Sequence, residues 1–456
     1  MAVQWNERTV AHLLRRAGFG ATQEEIKFYL DMGQKRAVDY LLNFESIDDS
    51  EADRRIAEAN FDMKKLNGIA AAWILKMAIT KRPLQEKMAF FWHDHFATAI
   101  FKVKAEGLMV RQINLFRRFA LGNFEAFLLE VSKDPAMIIW LDNFTNKKGQ
   151  PNENYARELM ELFSMGVGNY TEDDVKESAR AFTGWTITSK RKNERDEAEF
   201  FFDQQQHDFG NKTFLGQTGP FNGDDIVRII AGQPATSRFI TKKLFEFFAY
   251  TNPKKKVLDR LAALYLSSNY SIKAVMQEIF NSDEFYSEEA INGLVKSPVE
   301  FVVGTLRMLK AQFINQGPQE RELVGILNQL GQVLYNPPGV EGWVRGLEWL
   351  NTSTLLTRYN YGNSISSNRT GRGFIIDPKV LLNGKSFQMN NEVVNFFLKA
   401  LGIYDATSAT KKQLKKYLTL NDDGSTGSFK LDDATIDKEI RGLIHLIISL
   451  PDYQLN

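Results

Sequence analysis

The chain contains no cysteine. That absence removes disulfides, thiolate catalysis, iron–sulfur clusters and cysteine-ligated zinc together. Histidine is scarce, with five in 456 residues, so each one is worth placing. No apolar run approaches the ~18 residues that a membrane span requires. The most apolar stretch, residues 68–79, is interrupted by Lys76. The N-terminal MAVQWNERTVAHLLRRAGFG has no apolar core of signal-peptide kind. The chain therefore reads as cytoplasmic, and as extracytoplasmic if a leader has been removed. Charge of one sign is also missing: 57 basic residues stand against 56 acidic ones. Without a basic excess, nucleic-acid binding is excluded as the main task. There is no fixed-period repeat, no low-complexity tract, and no G-x-S-x-G, Walker A or H-E-x-x-H motif.

What is present is a globular composition, with 43% hydrophobic and 12% aromatic residues, ample for a large core. Helical periodicity dominates. Helices are expected at about 34–44, 49–66, 68–80, 83–95, 102–120, 123–132 and 135–141, then 223–232, 235–250, 253–268, 271–281 and 298–312, and finally 391–402, 409–418 and 433–449. Thr22 with Glu25 forms a capping box, and Pro83 and Pro135 fit first helical turns. Between about 185 and 205, two alternating segments flank the charged turn KRKNERDE and predict an inserted β-hairpin. The HDFGNKTFLGQTG stretch reads as loop, as do QVLYNPPGVEGWVRGLEW (332–349) and the weakly patterned 359–390. The predicted fold is mainly α: a multi-helix globular array with one hairpin and long Gly/Pro/Trp loops. A single unit over 1–456 is the economical organisation. The alternative division is a helical body at 1–314 and a loop-rich region with C-terminal helices at 315–456.

The densest polar stretch is PNENYARELMELFSMGVGNYTEDDVKESARAFTGW at 151–185. On a helix Asn154, Glu158 and Glu161 share one stripe beside an apolar face, with Arg157 adjacent. Two carboxylates one turn apart recur in metal sites of helical bundles. The same spacing also describes a solvated face, with Glu153–Arg157–Glu161 as ion pairs. Asp142 and Asn143 add short polar groups near this helix start. In EKMAFFWHDHF, His93 and His95 lie about 200° apart if the helix continues, and converge only if it ends near Asp94. They are then metal ligands or an acid–base pair; otherwise one is a buried histidine bonded to Glu86 or Asp94. His207, Asp208 and Lys212 suit a polar pocket wall or a simple turn, His12 with Arg16 an anion cradle or a capped helix end, and Trp343 a sugar platform or a core plug. The acidic, glycine-containing run at 421–433 lacks calcium-loop spacing.

In order along the chain, HLLRRAGFG, EKMAFFWHDHF, NENYARELMELFSMGVGNYTEDDV with ARAFTGW, HDFGNKTFLG, KSPVEFVVGTLR and GQVLYNPPGVEGW resemble the bacterial "domain of unknown function 1800" family. The resemblance runs from about His12 to the closing SLPDYQLN. It implies a mostly helical single unit. It also implies an exported setting for many members, and a protein partner from a second family that looks like a secreted sulfatase or phosphatase relative. The matching polar residues are His12, His93, His95, Asn154, Arg157, Glu158, Glu161, His207, Asp208 and Lys212.

The sequence thus supports a hydrolase whose pocket gathers His93, His95, Glu158, Glu161 and His207. It would be either metal-dependent or of the metal-free acid–base type. In the metal form His93, His95, Glu158 and Glu161 hold zinc, iron or manganese. One glutamate is then general base, and Lys212 or Arg157 stabilises developing negative charge. The alternative is a non-catalytic binding or assembly protein for a glycan or protein partner, with NPPGVEGW and the hairpin as contact surfaces and the polar residues as a structural network.

Overall fold

Two consecutive helices, Leu66–Ile79 and Pro83–His95, are buried on nearly every face. A helix apolar all round has no solvent side and must be surrounded, and this pair forms the centre of the molecule. Its surroundings are the Glu106–Arg118, Pro298–Met308 and Gln319–Leu330 helices. Gly68 permits the first of the two to start: a Cβ there would lie 2.0 Å from the Asp62 carbonyl oxygen. Beside the second, the rings of Trp92, Phe96, Phe116, Phe127 and Phe163 interlock at centroid distances of 5.0–6.1 Å, a spacing at which edge-to-face aromatic pairs attract.

The computed structural model describes residues 3–189, 191–314, 319–369, 373–420, 425 and 427–456. Lys190 of the charged turn, residues 315–318 at the head of the loop-rich region, and residues 421–424 and 426 of the acidic run lie outside them. The fold is mainly α, and strands among the described residues form only three two-stranded antiparallel sheets. The expected hairpin is present, pairing Trp185–Ile187 with Phe200–Phe202. A second one, Lys212–Phe214 with Gln217–Gly219, occupies the segment read as loop. The third pairs Gln312–Phe313 with Phe374–Ile375.

Capping chemistry works where the sequence placed it, with Thr22 forming a capping box and Pro83 and Pro135 opening their helices; Thr171 forms a second capping box. Three expected helices are interrupted. The 49–66 segment ends at Glu58, the 102–120 segment breaks at Lys104 in the left-handed region (φ 54°), and 433–449 contains a π turn at Ile436–Ile440. Three helices went unread, Gln319–Leu330, Thr352–Ser366 and the short Pro378–Leu382. The second packs on the C-terminal Arg441–Ile448 helix through Gly362, where a Cβ would lie 2.9 Å from Ile448 Cγ2. No helix among the described residues is long and apolar enough to cross a membrane.

Candidate functional site

The Pro83–His95 helix continues through both histidines, so they leave it on different sides. His93 accepts a hydrogen bond at Nε2 from the Tyr335 backbone N–H at 2.9 Å, which puts its proton on Nδ1. It is wedged among Trp73, Tyr335 and Trp343, and burial alone pushes its pKa down to about 3. His95 instead donates Nε2–H to the Phe163 carbonyl at 2.9 Å. Its Nδ1 lone pair faces Lys243 Nζ at 3.4 Å. Neither ring bonds to Glu86, which is held by Trp73 Nε1 and Arg117, nor to Asp94. The condition under which the two imidazoles converge is therefore not met. Among the described residues, no group of three or more histidines and carboxylates could hold a metal ion.

Lys243 is the residue that sequence reading missed. It stands on the Pro234–Phe248 helix and shares a face with Glu246 and Phe247 at i+3 and i+4. Its ammonium reaches back to the Leu162 carbonyl at 3.3 Å, just past the end of the Asn154–Glu161 helix. Burial, and then the nearby Arg345 charge, push its pKa down to about 8. Burial first, and then the Lys243 charge, lower the His95 pKa, which keeps that imidazole neutral at pH 7.

Asp94 and Phe247, one residue from His95 and four from Lys243, line a cleft of about 130 Å³ that His95 and Lys243 themselves do not line. Phe90, Phe247, Trp343 and Trp349 give it an apolar lining, with Asp94, Glu246 and Arg345 as charged groups. Asp94 anchors the Gly/Pro/Trp loop by accepting from Trp343 N–H at 2.8 Å and from Arg345 at 2.6 Å. Gly342 allows that approach, because a Cβ at its φ of 85° would sit 2.4 Å from Asp94 Oδ1. Glu341 of the same loop acts on Glu158. Burial first, then Glu161 and Glu341, raise the Glu158 pKa. Glu161 accepts from Tyr170 OH at 2.7 Å. Arg157 turns away from Glu161 to make a double hydrogen bond with Glu172, both at 2.7 Å.

The remaining sequence-derived residues are each bound into local contacts, though the buried Nδ1 of His12 has no partner. His207 donates Nδ1–H to the Thr183 carbonyl at 2.8 Å, Asp208 pairs with Arg180 at 2.8 Å, and Lys212 donates to the carbonyls of Asp208 and Gly210 at 2.6 and 2.9 Å. Asp142 pairs with Lys102, Asn143 bonds the Trp185 carbonyl, and Asn154 bonds the Leu141 carbonyl. His12 is buried against Phe285, donating to its carbonyl at 2.9 Å. Trp343 is only 7% exposed and backs onto His93, so it closes the core more than it offers a flat platform. Thus His95, Glu158, Glu161 and Trp343 come to one region, together with Asp94, Lys243, Arg345 and Glu341. His12, the 207–212 loop and the Asp142–Asn143 turn do not join them.

No curated protein and no solved structure matches the chain. One family model does, described as protein of unknown function (DUF1800), and it matches residues 12–455 of the 456. The chain belongs to the DUF1800 family.

Proposed function

We propose that the protein is a hydrolase of the metal-free acid–base type, working in the cleft beside Asp94 with His95 and Lys243 as its proton-transfer pair. The observation that carries this reading is the 3.4 Å approach of Lys243 Nζ to the free lone pair of His95 Nδ1. Among the described residues neither group bonds a carboxylate. Two cations so close and so poorly hydrated repel, so the pair holds one proton readily and a second only at cost. A pair that loses its last proton near pH 8 is matched to general base work at neutral to mildly alkaline pH. Arg345, fixed by Asp94 at the cleft, is placed to meet developing negative charge. Glu158, with its raised pKa, supplies the complementary acid.

The test is a panel of activated carboxylic, phosphoric and glycosidic esters assayed with the whole chain and with Lys243→Met and His95→Gln. Hydrolysis of one class is expected, with kcat/KM lowered by about 10²–10⁴ in each variant. Turnover by neither the parent nor any related preparation, or equal turnover by the variants, overturns the reading. A second reading rests on Val344 and Leu347, which are 44% and 77% exposed on the loop bordering the same cleft. Apolar side chains so placed suit a docking surface, and the protein would then bind a partner there without turning it over.

A further inference from the structure

The cleft beside Asp94 is walled by four separate stretches of chain. Phe90 comes from the Pro83–His95 helix and Phe247 from the Pro234–Phe248 helix. Trp343 and Trp349 come from the Gly/Pro/Trp loop, and Leu294 and Val295 from the segment before the Pro298–Met308 helix. These walls are tied down by the protein itself. Phe90 and Phe247 pack together with ring centroids 6.3 Å apart. Trp343 is held through its N–H by Asp94, the Trp349 carbonyl accepts from Thr354 Oγ1 at 2.9 Å, and Val295 bridges to Leu455. The hollow is therefore already shaped, which spares a small ligand the cost of ordering it.

Charged groups also line the cleft, and each is answered by an opposite charge of the protein. Asp94 is paired with Arg345 at 2.6 Å. Glu300 is ion-paired with Lys87 and accepts from the Ser297 N–H and from Asn456 Nδ2, both at 2.8 Å. Glu246 accepts from the Asn252 N–H at 3.0 Å and stands 4.0 Å from Lys242 Nζ. What the cleft offers an incoming group is thus aromatic and aliphatic surface. An ion entering it would lose hydration without gaining an unmatched counter-charge.

The volume of about 130 Å³ sets the size of that group. An apolar protein cavity of about 150 Å³ holds one benzene ring, so one ring fits here and two fused rings do not. We propose that the cleft binds a neutral compound carrying a single six-membered aromatic ring, seated among Phe90, Phe247, Trp343 and Trp349. Such rings attract a further ring through offset and edge-to-face contacts. As the recognised part of a substrate, this ring rests on the hydrolase reading: an ester would place its ring in the cleft and its carbonyl towards His95 and Lys243. As a binding site, the cleft stands without that reading.

Calorimetric titration of the whole chain with benzyl alcohol, 2-naphthylmethanol, benzoate and benzylammonium reads binding alone. Benzyl alcohol is expected to saturate, with half-binding at or below about 1 mM. The larger alcohol and the two ions are expected to bind about tenfold more weakly or worse. Leu294 is a half-buried wall residue, and Leu294→Trp should fill the cleft and weaken benzyl alcohol by about tenfold or more. If that variant does not fold, the ring-size series on the parent chain decides. The site is overturned by no saturable binding of benzyl alcohol, by equal or tighter binding of the naphthyl alcohol or of either ion, or by unchanged affinity in folded Leu294→Trp. Hydrolysis of benzyl acetate against ethyl acetate separates the two readings, and preference for the benzyl ester is expected. Binding of benzyl alcohol with turnover of neither ester removes the hydrolase and leaves the site. Turnover of ethyl acetate without benzyl alcohol binding removes the site and leaves the hydrolase.

Discussion

Lys243 and Glu86 show how differently a buried charge can be treated within one molecule. Glu86 is fully buried and fully answered, by Trp73 Nε1 at 2.8 Å and by Arg117 at 2.8 and 2.9 Å. Removing its cation strands a carboxylate in the core, so Arg117→Met is expected to destabilise by about 3–5 kcal/mol in chemical denaturation. A loss under 1 kcal/mol would mean that Trp73 alone carries Glu86. Lys243 has no such answer, and its pKa falls instead. The divergence of His93 and His95 was legible from the 100° helical step. Lys243 was not legible: in TKKLFEFF it is one of two lysines on an amphipathic helix. Only the distant Leu162 carbonyl and His95, brought to it by tertiary packing, distinguish it from Lys242.

At the scale of elements, the loop over Asp94 depends on one backbone conformation. Gly342→Ala would place a methyl on the Asp94 carboxylate at a φ of 85°. It is expected to cost about 1–3 kcal/mol and to release Arg345, seen as lower melting and as lost protection of the Trp343 amide from exchange. Unchanged melting and protection would show that the loop is not held this way. Thr171→Ala removes a capping box that includes Asp174 and should cost about 1 kcal/mol, measurable by the same denaturation. These caps, the prolines and the first hairpin were readable because they are local chemistry. The Thr352–Ser366 helix was not, because TSTLLTRYNYGNSIS is poor in helix formers. Its helicity follows from packing against Ile448 and from Arg358, buried and bonded to the Lys296 carbonyl and Gln454. The second hairpin escaped notice for a similar reason: its three-residue strands are too short for alternation to register.

For the molecule as a whole, stability should fall in mild acid. His12, His93 and His95 are neutral in the folded state, with pKa values lowered by burial. The unfolded chain takes up their protons below about pH 6.5, so folding loses up to about 1.4 kcal/mol per pH unit for each as pH falls through that value. Asp134 works in the opposite sense. Burial raises it to about 6, so the folded state gains relative stability as pH falls below that. Glu158, also raised by burial, acts in the same sense as Asp134. Three groups outweigh two, and urea denaturation at pH 7 and pH 5 should give the lower midpoint at pH 5; equal midpoints would contradict the buried neutral imidazoles. The central claim, that a His95–Lys243 pair beside the cleft shares one proton, is tested most directly by NMR titration of the Lys243 ammonium in the whole chain. The account predicts a midpoint near pH 8, with a shifted midpoint in His95→Gln. A midpoint near the ordinary lysine value of about 10.4, unmoved by His95→Gln, would contradict it.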